Sequence, residues 1–167
     1  MKRFSWLVPA VLAWGLATAW LAREVEVYAL RLPWRGEALA WVGPAVGEIS
    51  LSYLHSVERS EVRGVFRAEG GRLVLVETHY RSPGSGLPVD RPAVRQGDWW
   101  VVAHGHPLDG FRMNLAPVNE PRLIVAGRFV PLPLPEGNQA LRLAVERPAR
   151  WRWLAWLWLG WAWSTGG

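Results

Sequence analysis

From Glu61 to Tyr80 the chain alternates side-chain types with a period of two residues, stops at a pair of glycines, and alternates again. Successive side chains of a β-strand point to opposite faces, so this pattern fits extended chain and does not fit an amphipathic helix with its period of 3.6. In the first run Val62, Gly64, Phe66 and Ala68 share one face, while Glu61, Arg63 and Arg67 share the other. Glu69-Gly70-Gly71 is the turn. In the second run Leu73, Leu75, Glu77 and His79 are in phase, opposed by Val74, Val76, Thr78 and Tyr80. Two such runs with a short glycine-containing connection read as a β-hairpin. In this phasing Glu77 and His79 continue a line of leucines, and a charge so placed needs a partner or a position at a rim.

The same reading extends along the body of the chain. Val25, Val27 and Ala29 alternate with Glu24, Glu26 and Tyr28, predicting a strand that ends at Pro33; Ala38 to Val42 predicts a short second one before Gly43-Pro44. From Glu48 to His55, Ile49, Leu51, Tyr53 and His55 share a face opposite Ser50, Ser52 and Leu54. Residues 89–98 read as an exposed loop, Trp99 to Ala103 as a compact strand, and His104 to Gly110 as a turn. Phe111 to Leu115, Arg122 to Ala126, Arg128 to Leu132 and Ala140 to Val145 supply the rest. Eight to ten short strands without an amphipathic helix predict an all-β fold, an antiparallel sandwich or partly closed barrel.

The ends are of another kind. Of 13 tryptophans in 167 residues, Trp6, Trp14 and Trp20 lie in the first apolar stretch and Trp151, Trp153, Trp156, Trp158, Trp161 and Trp163 crowd the last. Indole rings favour the membrane–water interface. Phe4 to Ala22 follows Lys2 and Arg3 and is long enough, at roughly 28 Å of helix, to cross a hydrocarbon core. It reads as a transmembrane anchor or as a signal peptide cleaved near Ala17-Thr18-Ala19; either one carries the body of the chain across the membrane. Trp153 to Trp163 is apolar all round, which excludes a simple surface-lying amphipathic helix. As a second span it requires Arg150 and Arg152 to snorkel, so it reads as a Trp-rich membrane helix that packs against another membrane protein or completes a tilted second span, spanning the bilayer or dipping into it. A buried helix of the β domain is the alternative. The expected organisation is therefore a signal anchor or signal peptide over 1–22, an extracytoplasmic β domain over 23–147, and a membrane-associated helix over 148–167.

Composition narrows the chemistry. Cysteine is absent, so the chain has neither disulfides nor a thiolate nucleophile. The net charge of +5 comes from arginines scattered singly among glutamates, a pattern that argues against nucleic acid as partner. His55 and Ser56 are neighbours on a strand and point apart, and no Gly-x-Ser-x-Gly elbow exists, so hydrolase chemistry is poorly supported. His104-x-His106 forms a metal site only if His55, His79 or Glu77 converges on it, and the same residues read as an ordinary turn. Ser82-Pro83-Gly84-Ser85-Gly86-Leu87-Pro88 follows a strand with no helix after it; it is a conformational loop or an anion cradle, and it is no P-loop. Tyr53, His55, Glu58, Arg59 and Glu77 read as a hydrogen-bonded polar cluster shaping one end of the domain.

Tyr53-Leu54-His55-Ser56-Val57-Glu58, then Leu73-Val74-Leu75-Val76-Glu77-Thr78, then Ser82-Pro83-Gly84-Ser85-Gly86-Leu87-Pro88 together resemble the family called domain of unknown function 1850. The likeness runs over roughly residues 28–147, with Ser85 fitting the family's glycine loop and Pro83 departing from it. It implies a small membrane-linked or exported protein associated with TAXI-type TRAP transporters for organic acids or amino acids. The partners implied are the transporter's membrane subunit, its substrate-binding protein and membrane lipid, at the cytoplasmic membrane with the β domain outside. The expected role is a non-catalytic accessory subunit without cofactor or metal. Contact is expected through Tyr53, His55, Ser56, Glu58, Arg59, Glu77, His79, Ser82, Gly84, Gly86, Leu87 and Pro88. The alternatives are a membrane-anchored binding module for a small anion and, third, a metal-dependent hydrolase.

Overall fold

The computed structural model describes residues 7–32, 38–82, 91–130, 132 and 137–164. It divides into two units, residues 27–146 and the two ends, 1–26 with 147–167. The first unit holds eleven strands among its described residues: β1 (Val27–Leu32), β2 (Ala38–Pro44), β3 (Glu48–Leu54), β4 (Glu61–Glu69), β5 (Arg72–Tyr80), β6 (Ala93–Gln96), β7 (Trp99–Leu108), β8 (Phe111–Leu115), β9 (Arg122–Val125), β10 (Arg128–Val130) and β11 (Gln139–Glu146). They form a four-stranded sheet ordered β2-β1-β11-β8 and a seven-stranded sheet ordered β10-β9-β3-β4-β5-β7-β6, and every pairing is antiparallel. The sheets are open, so the sandwich expectation holds and the partly closed barrel does not. Both sheets end in edge strands, β2 and β8 in one, β10 and β6 in the other.

The core lies between the sheets. Tyr28, Leu30 and Leu32 of β1 and Leu141 and Leu143 of β11 meet Ile49, Leu51, Phe66, Leu73 and Leu123 of the larger sheet. The rings of Phe66 and Phe111 join the layers with centroids 4.9 Å apart. Gly64 leaves room for Phe66: a Cβ there would come within 2.9 Å of the Phe66 ring. Tyr28 is fully buried, and its hydroxyl donates to the Gly47 carbonyl at 2.6 Å while accepting the Ala68 N–H at 3.1 Å. A buried phenol tolerates an apolar core only when its polar end is satisfied in this way.

The β4–β5 hairpin turns at Gly70-Gly71, both at positive φ, as a two-residue hairpin turn requires. One feature overturns the expected phasing. Val65 pairs with Glu77 but Phe66 pairs with Leu75, so Val76 is an extra residue in β5. A bulge of this kind reverses which face the following residues occupy. Leu73 and Leu75 share the inner face with Phe66, whereas Glu77 and His79, opposite Val65 and Arg63, lie on the outer face. They do not continue the leucine line. β7 carries a compensating irregularity between Ala103 and His106, and it runs on to Leu108. His104 to Pro107 are therefore strand, not turn: His106 and Pro107 pair with Leu75 and Val74 of β5, and His104 and Gly105 lie in the irregularity between the two paired stretches. Likewise 93–96, expected in a loop, is edge strand β6 paired to β7.

In the second unit α1 (Leu7–Ala22) and α2 (Arg150–Ser164) are joined at the end of one and the start of the other. Val25 N–H donates to the Pro148 carbonyl at 3.0 Å, Glu24 bridges to Ala149, and Arg150 N–H donates to the Arg23 carbonyl at 2.8 Å. Glu24 to Glu26 thus form this link, and the regular strand expected from Glu24 begins only at Val27. Among the described residues no helix is long and apolar enough to cross a membrane. The described part of α1 has 16 residues and α2 has 15, the latter opening with Arg150 and Arg152.

Replacing Phe66 by Ala is expected to lower the unfolding free energy by about 3–5 kcal/mol. Gly64→Ala is expected to cost about 1–3 kcal/mol, because the Phe66 ring is held by the core and must be displaced. Urea titration followed by circular dichroism reads both; a neutral Gly64→Ala would mean that the ring is free to move aside.

Candidate functional site

The polar residues singled out in the sequence separate into two places on opposite faces of the seven-stranded sheet. Tyr53 is opposite Val62 on the inner face and packs against the buried group Val62, Tyr80 and Val102. His55 lies one residue beyond the end of β3, where the chain turns toward β4. Its N–H donates to the Ser60 carbonyl at 2.9 Å, its carbonyl accepts Arg59 N–H at 2.9 Å, and its Nδ1 accepts Glu58 N–H at 3.3 Å. A ring nitrogen that accepts is unprotonated, so the neutral imidazole carries its proton on Nε2. Arg59 closes the loop at φ 50°, a left-handed conformation disfavoured for a residue with a side chain. His55, Ser56, Glu58 and Arg59 are thus the connection between β3 and β4, with His55 organising it.

Beside this loop is a cleft of about 470 Å³ lined by Tyr53, His55, Ser56, Met113, Asn114, Ala116, Asn119 and Asn138. It lies between the end of β3 and strand β8 of the other sheet. Asn119, in a short 3₁₀ turn (Pro117–Asn119), donates from Nδ2 to the Leu54 carbonyl at 2.9 Å and ties that turn to β3. Among the described residues the lining holds amides, hydroxyls and an imidazole but no carboxylate, guanidinium or ammonium. The three asparagines went unnoticed in the sequence, because each sits singly in a segment whose pairing across the domain is not visible locally. Burial pushes the Tyr53 phenol above its ordinary pKa of 10.0.

The second group is on the outer face. His79 Nε2 and Glu77 Oε2 are 2.6 Å apart. Beside them the Trp99 ring has the Arg63 guanidinium 5.0 Å and the Arg81 guanidinium 4.6 Å from its centroid, with His79 edge-on at 6.1 Å. Glu61 pairs with Arg63 at 3.2 Å and Asp98 approaches Arg81 at 3.7 Å. The expected single cluster of Tyr53, His55, Glu58, Arg59 and Glu77 is therefore not formed; the bulge at Val76 sends Glu77 to the other side of the sheet.

His104 is hydrogen-bonded to Thr78 Oγ1 at 3.0 Å and His106 contacts Arg91. Their rings are 6.4 Å apart, and among the described residues no three His, Asp or Glu side chains are grouped to hold a metal. Ser82 is half-buried in a bend after β5; Gly84, Gly86, Leu87 and Pro88 lie outside the described residues. Of the tryptophans expected in the membrane, Trp14 is 75% exposed, Trp158 86%, and Trp20 and Trp151 about half, while Trp153 and Trp156 are half-buried. Trp6 lies outside the described residues, as do the side chains of Trp161 and Trp163.

The raised Tyr53 pKa makes stability depend on alkaline pH. A group whose folded pKa exceeds its unfolded value contributes stability that is complete below the unfolded value and is lost as pH rises through the folded one. Stability is thus expected to fall as pH passes above 10.0, and Tyr53→Phe is expected to flatten that fall. Urea midpoints measured at pH 8, 9 and 10.5 or so on both proteins check it; identical slopes would remove the assignment.

The family model described as Domain of unknown function (DUF1850) matches residues 49–132. The match takes in every strand of the seven-stranded sheet from Ile49 of β3 onward, together with β8, the His55 loop and most of the cleft lining. No curated protein and no solved structure matches the chain. With half of its length matched, the chain belongs to the DUF1850 family.

Proposed function

We propose that this protein is a non-catalytic accessory subunit of a membrane transporter, a β-sandwich held at the extracytoplasmic side of the cytoplasmic membrane by its two terminal helices. The observation that carries the reading is the surface of α1. Val8, Val11, Leu12, Trp14 and Leu16 are all more than 60% exposed, and no residue from Val8 to Trp20 is buried. An apolar helix open on every side is costly in water and favoured in lipid or against another apolar helix. The exposed tryptophans of α2 support the same placement. The family resemblance points to a TAXI-type TRAP system, with the membrane subunit against the helices and the substrate-binding protein as the partner for the β domain.

Contact in place of catalysis is supported by how the histidines are engaged. His55 organises its own loop, His79 is held by Glu77, and His104 by Thr78. The second reading, a membrane-anchored module binding a small anion, is favoured by the cleft beside His55. Among the described residues that lining is uncharged, so the donors it offers a carboxylate are amides, hydroxyls and an imidazole.

Tagged protein expressed with its neighbouring transporter genes and solubilised in mild detergent is expected to bring down the transporter's membrane subunit in fixed ratio. Recovery of this chain alone overturns the accessory role. A thermal-shift screen with organic acids and glutamate tests the second reading; a rise in Tm that Asn114→Ala abolishes would favour it.

A further inference from the structure

Where α1 ends and α2 begins, four arginines, Arg23, Arg147, Arg150 and Arg152, gather with two glutamates, Glu24 and Glu26. They differ in what they do. Arg147 donates from Nε and Nη2 to Glu26 Oε1 at 3.1 and 2.7 Å. Arg150 lies over the Trp20 ring at 4.2 Å and points Nη1 at the Trp20 carbonyl, 3.4 Å away, in the last turn of α1. That carbonyl end carries the negative pole of the helix, so a guanidinium there is favourable. Arg150 is in this way a clasp between the two helices. Arg23 and Arg152 are exposed. Both helices leave this junction with apolar side chains outward, Trp20 and Trp151 being about half exposed beside it.

An apolar surface that stops at a band of indoles and guanidiniums has the layering of a bilayer leaflet: acyl chains, interface, phosphates. We infer that the helix junction is a binding site for the phosphate groups of anionic phospholipids, with Arg23 and Arg152 as its ligands and the Arg150–Trp20 stack holding the helices so that both face the same headgroup layer. This rests on the reading that the helices sit in lipid. It gives arginines on the extracytoplasmic side a task other than setting topology, where they oppose the usual bias. Their partner is phosphate because a guanidinium presents paired donors to paired oxygens.

The test uses the full chain in two steps. Flotation with phosphatidylcholine vesicles is expected to carry the protein upward; failure to float with any vesicle would sink the membrane reading and this inference with it. Native mass spectrometry from detergent containing equal phosphatidylglycerol and phosphatidylcholine then reads headgroup preference. Each arginine near an anionic surface is worth about five-fold, so phosphatidylglycerol is expected to be retained at least several-fold over phosphatidylcholine. Arg23→Gln with Arg152→Gln is expected to bring the ratio near one, and Arg23→Lys with Arg152→Lys to restore part of it. Should the glutamine variant fail to fold, the wild-type preference must still weaken as salt is raised. Flotation with equal retention of both lipids, or a preference unchanged in the glutamine variant or by salt, overturns the lipid site while leaving the anchor intact.

Discussion

The structure depends on the pairing of β1 with β11, the first and last strands of the β domain, side by side at the centre of the smaller sheet. Val27 to Arg31 pair with Glu146 to Arg142, so a contact separated by more than a hundred residues sets the inner face that carries Tyr28, Leu30, Leu141 and Leu143. Closing a loop of that length costs entropy before the burial of those side chains repays it. On the outer face Ala29 and Ala144 are register partners, and the Arg31–Glu146 pair at 2.6 Å reaches across them. Because Val27 and Glu146 are also partners, the flanking segments leave the domain from adjacent residues.

What the sequence made legible was local. The β4–β5 hairpin, its Gly70-Gly71 turn and the buried series Ile49 and Leu51 follow from side-chain period and glycine placement, both of which act within a few residues. The bulge at Val76 was not legible, because it is defined by β4 on one side and β7 on the other, and the string Leu73 to Tyr80 looks the same with or without it. β6 and the far half of β7 were hidden for a related reason: His104-Gly105-His106-Pro107 has turn-like residues, and only the partner strand makes it extended. A proline is tolerated there because β6 pairs only with Trp99 to Val102, so this part of β7 has a paired neighbour on the β5 side alone.

The candidate site was legible in its residues and not in its grouping. His55 and Ser56 stood out because they interrupt an apolar strand, and they do line the cleft. Glu77 and His79 stood out for the same reason, yet they belong to an outer-face network organised by Trp99. No spacing rule joins Trp99 to Arg63 and Arg81, since the three come from separate strands and a bend. The tryptophan itself was legible only as the start of a compact strand. It serves instead as a flat surface against which two guanidiniums rest, shielding their stems while each keeps a carboxylate near.

The span of the family match bears on which part of the chain is the working unit. Residues 49–132 contain the larger sheet and β8, but the partners that cover its inner face, Tyr28, Leu30, Leu32, Leu141 and Leu143, lie outside it. Alone, that segment would leave Leu51, Phe66, Leu73 and Leu123 facing water, and an exposed apolar sheet face is an aggregation hazard, not a recognition surface. The cleft tells the same story, for Asn138 on its rim precedes β11 and also falls beyond the matched residues. The seven-stranded sheet can present the His55 loop in a fixed geometry only when β1 and β11 close over it. Whatever meets that loop therefore meets the complete domain, residues 27–146.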